Sequence, residues 1–584
     1  MTEFHSPVPL PHIPDDLTIP QFFLRTESPG RPIRPRNVPF FIDDASGRAV
    51  TYEEAHHRAY GLANALSMEW NIRPGDVGMP LQYHVMSLSL KVAMNYPVAV
   101  WAVQILGGIV TPANPSFTAD ELQHQLSIAR AKLIIVHPAG LDTARKAASA
   151  CGIPDNAFLL LDENKSSLPN VNGAVALGWN KGENYEAVRL QPGEARRTIA
   201  FLSFSSGTTG KPKAVAISHY SVIANVIQMA VHNRLDDPDW PDKSTLPGDL
   251  AMGVLPFFHI YGLVVIMHYV LYAGGTILIV PKFNFTDFLD SITRYKATHL
   301  YLVPPMCVLF CKHPAVKGRD FSHIKFCTSG AAPLGGDLMV QLGKLFPNAA
   351  IGQGYGLTET ATTVSYLPAG CKMGTVGSSG KLIPGVSAKV VKPDGSLAAE
   401  GEPGELVVTG PSMAMGYYDN PAATAETFVD GWVRTGDEVV IKNNEVYILD
   451  RIKEIMKVRG FQVAPAELEA HLLAHPYVSD ACVVGIPDEY SGEVPMAFVV
   501  PSASALSRIT KGGASAEEHV KQVIEKHVSD HKINYKWLKG GVEFIDVIPK
   551  NPSGKILRRI LRDQAKTVKR RAPEIVYRQT QAKL

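Results

Sequence analysis

The sequence predicts an α/β protein. A large N-terminal domain of doubly wound sheets carries a small β-barrel-like element, and a small α+β domain follows it. Three observations predict this. From about residue 50 to 440, helical segments alternate with short β-branched runs such as LIIV (133–136), TIAFLSF (198–204), AVAIS (214–218) and THLYLV (298–303), the alternation of layered α/β folds. Between about 371 and 450 the texture changes to short strands broken by turns, as in PDGS (393–396), GEPGELVV (401–408) and KNNEVYILD (442–450). After Asp450 a charged segment, RIKEIMKVRG, reads as an interdomain hinge and divides the chain into domains 1–450 and 451–584.

Taken in order, the first ~35 residues are Pro-rich and read as an extended surface segment without a signal-peptide core. Two charge-free stretches, Val92–Ala119 and Ala251–Pro281, have the length of a membrane span of ~20 residues, yet each breaks at a Gly pair. Apolar helix, Gly stop and β-branched run instead predict a buried helix feeding a buried parallel strand, with no transmembrane span. In the C-terminal domain, 465–476 reads as a helix with Leu468, Leu472 and Leu473 on one face, and 481–487 and 496–501 as strands. A helix over 515–528 is predicted to start at Ser515, with Glu518 completing a capping box.

Composition narrows the function. The 584 residues give a soft prior of about four domain-sized units. With 57 Lys and Arg against 55 Asp and Glu, the net charge of +2 supplies no global attraction to nucleic acid or anionic lipid. Six cysteines are too few for a disulfide framework, and the lone C-x3-C at Cys307 and Cys311 lacks a second ligand pair for zinc.

The richest chemistry lies in S-F-S-S-G-T-T-G-K-P-K, residues 203–213, directly after a buried strand. Gly207 and Gly210 let the backbone approach an anion, while Ser205, Ser206, Thr208, Thr209, Lys211 and Lys213 offer donors to phosphate oxygens. It is not a Walker A loop, because Pro212 stands where Ser or Thr would hold the metal. Elsewhere, Tyr355 offers a face for a base, Glu359 is a hard oxygen ligand, and Asp437 can accept from both hydroxyls of a ribose.

SSGTTGKPK resembles the phosphate loop of the adenylate-forming superfamily, which includes acyl- and aryl-CoA ligases such as 4-coumarate:CoA ligase, firefly-type luciferases and peptide-synthetase adenylation domains. Its other motifs follow in order: PFFHIYG (256–262), SGAAPLG (329–335), GQGYGLTET (352–360), GWVRTGDE (431–438), DRIKEIMKVRGFQVAPAELE (450–469) and PKNPSGKILRR (549–559). The resemblance implies an AMP-binding N-terminal domain and a mobile C-terminal lid that rotates at Lys453. It implies ATP and CoA as co-substrates, Mg2+ as cofactor and a small carboxylic acid as substrate.

Residue by residue, the resemblance implies that Tyr355 and the backbone of Gly330, Ala331 and Ala332 form the adenine site, and that Gln353 and Gly356 also bind ATP or AMP. Thr358 meets the α-phosphate, Asp437 the ribose, and Glu359 the metal. Arg451 lies near ribose and phosphate, and Lys457 and Gln462 assist adenylation. Lys282, Arg459 and Gly460 meet CoA. Lys555, after the turn Pro552-Ser553-Gly554, reaches both carboxylate and α-phosphate as a compact cation, neutralising the attack of one anion on another. The other basic residues of Lys555–Arg571 read as a solvated helix face.

On the acyl side the resemblance implies His259, Tyr261, Gly354, Thr362 and Thr363 as lining, with Gly354 and Gly356 leaving room at the floor. Amino-acid-activating members carry an Asp where this chain has His259, so an aryl, arylpropenoic or medium-chain acid is expected instead. Thr362 and Thr363 stand where hydroxycinnamate ligases often have small or apolar residues. A luciferase-like or stand-alone adenylating enzyme with a different acceptor is the alternative. The ending Ala582-Lys583-Leu584 is close to a peroxisomal S-K-L address, predicting a peroxisomal enzyme recognised by an import receptor.

Overall fold

The computed structural model describes residues 3–24, 30–72, 85–89 (backbone), 94–163, 167–182, 185, 187–205, 212–459, 461–551 and 554–567. The chain forms two compact units, one built on Met1–Ile448 and the other on Leu449–Asn551 and Lys555–Leu584.

The first unit is built on three sheets. One seven-stranded sheet runs in the spatial order Gly416–Tyr417, Lys213–Ser218, Ile199–Ser205, Ile109–Ala113, Val85–Ser89, Ala131–Val136 and Phe158–Leu160. A second runs Ala350–Gln353, Phe326–Ser329, His299–Leu302, Leu250–Gly253, Thr276–Ile279, Phe41–Asp43 and Ala49–Val50. Most neighbours in both are parallel, which is why their strands read as continuous apolar runs. The third sheet is antiparallel. It passes from Glu3–His5 through Ser387–Val391, Gly404–Thr409, Trp432–Lys442, Glu445–Arg451, Lys381–Leu382 and Thr362–Tyr366 to Tyr355–Leu357.

Each predicted helix–Gly–strand unit feeds one of the parallel sheets. Helix Asn95–Ile105 ends with Gly107 at φ 75°, where Gly107 N–H donates to Gln104 O and Gly108 N–H to Val103 O. After Tyr261–Tyr272 the pattern repeats, with Gly274 at φ 84° and bonds to Leu271 O and Val270 O. Both are Schellman caps, whose left-handed residue glycine adopts without a Cβ penalty. Among the described residues no helix is long and apolar enough to cross a membrane. Residues 261–269 are wound as a π-helix, a form frequent at functional sites.

The N-terminal segment departs from expectation. It is tied into the core instead of lying extended over the surface. Glu3–His5 is a strand paired with Ser387–Val391, and Ile19–Phe23 is a helix opened by a Thr18–Gln21 capping box. Ile19, Phe22 and Phe23 are buried, and Ile19 N–H donates to Nδ1 of the buried His219 at 3.1 Å.

The second unit is a five-stranded sheet covered on both faces. Strands Val478–Asp488 and Gly492–Pro501 form its centre, with Met456–Val458, Phe461–Val463 and Val542–Phe544 beside them. Alternation sends Val483 toward Leu468, Leu472, Ile524 and Val528, and Cys482 and Val484 toward Ile548, Leu561 and Ala565. Residues Ala503–His531 form two helices that meet at a kink at Gly513 (φ 62°, ψ −153°): the first, capped by Ser502, was not predicted, and the second covers the predicted 515–528 helix but begins next to Gly513, slightly before Ser515. The basic C-terminal helix is also not a plain solvated face. Arg558 is held in a 2.5 Å ion pair with the buried Glu469, and Arg562 pairs with Glu454. Burial opposes the Arg558 charge, but Glu469 and Asp450 outweigh it and raise its pKa.

Candidate functional site

In the first unit, Ile199–Ser205 and Lys213–Ser218 are antiparallel arms of a hairpin, with Ser205 opposite Lys213. Ser206, Gly207, Thr208, Thr209, Gly210 and Lys211 lie outside the described residues. The hairpin's outer neighbour is Gly416–Tyr417, which sets Tyr417 opposite Val215 and brings its ring to 5.0 Å from Lys213 Nζ. The Tyr417 hydroxyl donates a 2.8 Å hydrogen bond to Oε1 of the buried Glu359. Sequence reasoning missed Tyr417: nothing local marks it, and only sheet pairing brings it to Glu359.

Glu359 belongs to the segment that also carries Tyr355. Tyr355–Leu357 is a short strand, followed by one turn of 3-10 helix at Thr358–Thr360. The Tyr355 phenol donates to Asp437 Oδ2 at 2.6 Å, and Asp437, buried on Trp432–Lys442, is steadied by its N–H donating to Thr435 Oγ1 at 3.1 Å. One six-residue segment thus joins an aromatic ring bonded to a carboxylate with a second carboxylate bonded to Tyr417, the tyrosine that flanks the hairpin's Lys213.

Backbone strain clusters in the same segments. Ala331 (φ 71°), Ala361 (φ 47°) and the β-branched Thr362 (φ 107°) lie at positive φ, at a cost of about 1–3 kcal/mol for a strongly unfavourable conformation. Thr362 is held there by its hydroxyl, which donates to Ile260 O at 3.1 Å, and by the crossing of its carbonyl against Gly356.

That crossing corrects the expected role of two glycines. A Cβ on Gly356 would stand 1.5 Å from Thr362 O, and one on Gly354 would stand 2.6 Å from the Tyr366 ring. The space beside each is filled by protein, so these glycines permit close packing and do not leave the floor open. Thr362 and Thr363 likewise turn their hydroxyls to protein: Thr363 Oγ1 lies 3.3 Å from Met229 Sδ, and its backbone is clasped by Asn225. Gln353 is committed as well. Its Oε1 accepts from Leu334 N–H at 2.6 Å and its Nε2 donates to Ser378 O at 3.3 Å, so it braces the 329–335 loop with its amide.

His259 accepts from Tyr261 N–H through Nδ1 at 3.3 Å, and the buried Tyr261 ring packs on Gly330, where a Cβ would come within 3.0 Å. Burial pushes the Tyr261 phenol well above its ordinary pKa, so it stays protonated. Ala331 and Ala332 are exposed beside it, Thr358 is half-buried, and Lys282 is exposed after strand Thr276–Ile279.

In the second unit, Lys457 and Gln462 stand opposite each other on the hairpin Met456–Val458/Phe461–Val463, both exposed. Arg459 takes its turn at φ 53°, with its guanidinium 4.8 Å from the Tyr490 ring, and Gly460 lies outside the described residues. Arg451 follows the buried Asp450, whose Oδ2 accepts from Ala466 N–H at 2.9 Å, and Lys453 is exposed. Lys555 follows Gly554 (φ 83°), and its N–H donates to Asn551 Oδ1 at 2.8 Å while its carbonyl accepts from Asn551 N–H at 2.9 Å. Its backbone is fixed in a tight turn.

The AMP-binding enzyme model matches residues 32–418, and the AMP-binding enzyme C-terminal domain model matches residues 467–555. The chain is 36% identical to 4-coumarate–CoA ligase 2 of Oryza sativa subsp. japonica, covering 96% of this chain and 95% of that one. It is 34% identical to 4-coumarate–CoA ligase 1 of Arabidopsis thaliana, covering 96% and 94%. Among solved structures, ATP-bound MatB from Rhodopseudomonas palustris aligns with TM-score 0.75 at 26% identity over 91% of this chain and 96% of that one. With both models matched in order and relatives aligned nearly end to end, the chain belongs to the AMP-binding enzyme family.

Proposed function

We propose that this protein is an AMP-forming acid:CoA ligase acting on an aryl, arylpropenoic or medium-chain carboxylic acid. The observation that carries the reading is the segment 355–360. It spaces a base-stacking ring and a ribose-binding carboxylate from a phosphate-end carboxylate beside the hydroxyl-rich hairpin. The names of the curated relatives, 4-coumarate–CoA ligases, support the same chemistry. Because Thr362 and Thr363 spend their hydroxyls on protein partners, they do not make the acyl wall polar, which favours an aryl acid.

A carboxylate oxygen of the acid attacks the α-phosphorus of ATP, the α–β bridging P–O bond breaks, and pyrophosphate leaves. Lys213 and the hairpin hydroxyls bind the phosphates, Thr358 donates to the α-phosphate, and Lys555 offsets the repulsion between the two anions. Glu359 keeps lone pairs beyond the one engaged by Tyr417, a hard-oxygen donor fit for Mg2+, which when bound would supply further charge neutralisation to the phosphates. In the second step the CoA sulfur attacks the acyl carbon and AMP departs, with Lys282, Arg459 and Gly460 assigned to CoA. Splitting the condensation through a mixed anhydride replaces one difficult step by two easier ones.

The test is acid-dependent exchange of pyrophosphate into ATP, followed by CoA thioester formation across a panel of acids. Exchange without thioester would move the reading to an adenylating enzyme with another acceptor, and no exchange with any acid would end it. For the ending Ala582-Lys583-Leu584, which lies outside the described residues, we propose peroxisomal import. Loss of peroxisomal targeting on deleting the tripeptide is the expected result.

A further inference from the structure

The second unit carries a histidine cluster that acid:CoA ligation does not use. H-L-L-A-H (471–475) and H-V-S-D-H (527–531) repeat a His-x3-His spacing; the second sets His527 and His531 on one helix face, while His475 lies past the end of helix Pro465–Leu473. The two segments lie side by side. The His471 and His527 rings stack at 4.2 Å with an interplanar angle of 4°, and His531 stands 5.3 and 5.1 Å from them. One ring nitrogen of each of the three lies within 4.8 Å of the others. We propose that His471, His527 and His531 bind a divalent first-row metal ion of the Zn2+ class, joining helix Pro465–Leu473 to the end of helix Ala503–His531.

The hydrogen bonds fix the tautomers. His471 Nε2 donates to His527 O at 3.2 Å, His527 Nε2 donates back to His471 O at 3.3 Å, and His531 Nδ1 donates to His527 O at 2.8 Å. A carbonyl only accepts, so each of these nitrogens carries the proton and the other keeps its lone pair. A backbone carbonyl behind the ring is the usual orienting partner of a metal-bound histidine. The nearest cation, Lys532, is itself paired with Glu467 at 2.9 Å.

Tetrahedral Zn–N bonds of ~2.0–2.1 Å put ligand nitrogens ~3.3 Å apart, so the rings must close by roughly 1.5 Å at most. Parallel rings do not aim their lone pairs at one ion, so binding also turns His471 or His527 out of the stack and releases its carbonyl bond, at a site where His531 is exposed and the other two are partly exposed. His475, whose Nδ1 already accepts from Tyr477 N–H at 3.2 Å, flanks the site 4.9 Å from the His527 ring and is left out of the ligand set. Imidazole nitrogens without a carboxylate or thiolate suit Zn2+ and its first-row neighbours and not Mg2+.

The full chain, prepared without a polyhistidine tag and stripped with a chelator, is titrated with Zn2+ alone by calorimetry and with Co2+ by visible absorption. One equivalent is expected to bind, with the intense visible band of a tetrahedral Co2+ site. His527→Gln and His531→Gln should each weaken it by at least about tenfold. His531 is exposed at the helix end, so its variant should keep the wild-type circular dichroism and carries the test if His527→Gln perturbs the fold. Absence of stoichiometric binding to the wild type, or equal affinity in His531→Gln, would overturn the proposal.

Discussion

The phenol of Tyr355 donates a 2.6 Å hydrogen bond to Oδ2 of Asp437, joining two residues that are 82 positions apart in the chain. A carboxylate has about four acceptor sites, so the tyrosine bond alone does not saturate Asp437. The tyrosine therefore orients the carboxylate while its ring remains a platform. Asp437→Ala should raise KM for ATP by about ten- to a hundredfold, the equivalent of ~1.5–3 kcal/mol for hydrogen bonds to a charged group. Tyr355→Phe, which keeps the ring, should cost far less than Tyr355→Ala; equal effects of the two in steady-state kinetics would show that stacking contributes nothing.

Lys555 is expected to serve one half-reaction. Lys555→Ala should lower acid-dependent pyrophosphate exchange by about 10²–10³, the size of losing one preorganised charge donor. Thioester formation from synthetic acyl-adenylate should survive within a few-fold. Parallel loss of both would mean that the lysine acts through folding or through the common nucleotide site.

The Tyr417–Glu359 bond predicts a metal phenotype. Glu359→Gln removes the charge and should raise the Mg2+ concentration for half-maximal adenylation, measured at fixed ATP. Tyr417→Phe keeps the carboxylate but frees its rotamer, so a smaller shift in the same direction is expected. An unchanged Mg2+ titration in Glu359→Gln would remove Glu359 from the metal site.

Buried histidines make the first unit acid-sensitive. Burial lowers the pKa of His219 to about 3 and that of His268 to about 4. Both are held neutral for a concrete reason: His219 Nδ1 accepts from Ile19 N–H, and His268 Nε2 accepts from Trp101 Nε1–H at 3.4 Å. The folded pKa lies below the unfolded one, so below about 6.5 the unfolded chain binds more protons. Stability present above that pH should fall as pH drops toward 4, by about 1.4 kcal/mol per pH unit for each histidine. Denaturant unfolding across this range measures the slope, and His219→Asn should reduce it by one such increment.

Much of this was legible in the chain because it is local. The β-branched runs, the Gly-Gly stops and the hydroxyl-rich loop each announce themselves within about ten residues, and the strands at Ile199–Ser205 and His299–Leu302 formed as read. Tertiary facts were not legible. Tyr417 reaches Glu359 only through an antiparallel partner of the hairpin, and Gly354 looks like vacant space until Tyr366 is placed against it. The Pro-rich start hid a buried helix because five residues, Ile19–Phe23, show too little periodicity to declare themselves. The histidine cluster went unread in the sequence, because the adjacency of His471 to His527 and His531 depends on how two helices cover one sheet.

The pairing of Glu3–His5 with Ser387–Val391 has a consequence for biosynthesis. Strand Glu3–His5 is completed by one far along the chain, with most of the first unit synthesised in between. At ~5–20 residues per second, the leading edge must wait roughly 20–80 s for its mate to leave the ribosome. During that interval Phe4, buried in the finished fold, stands without its strand partner, so an exposed edge persists until translation has passed residue 391.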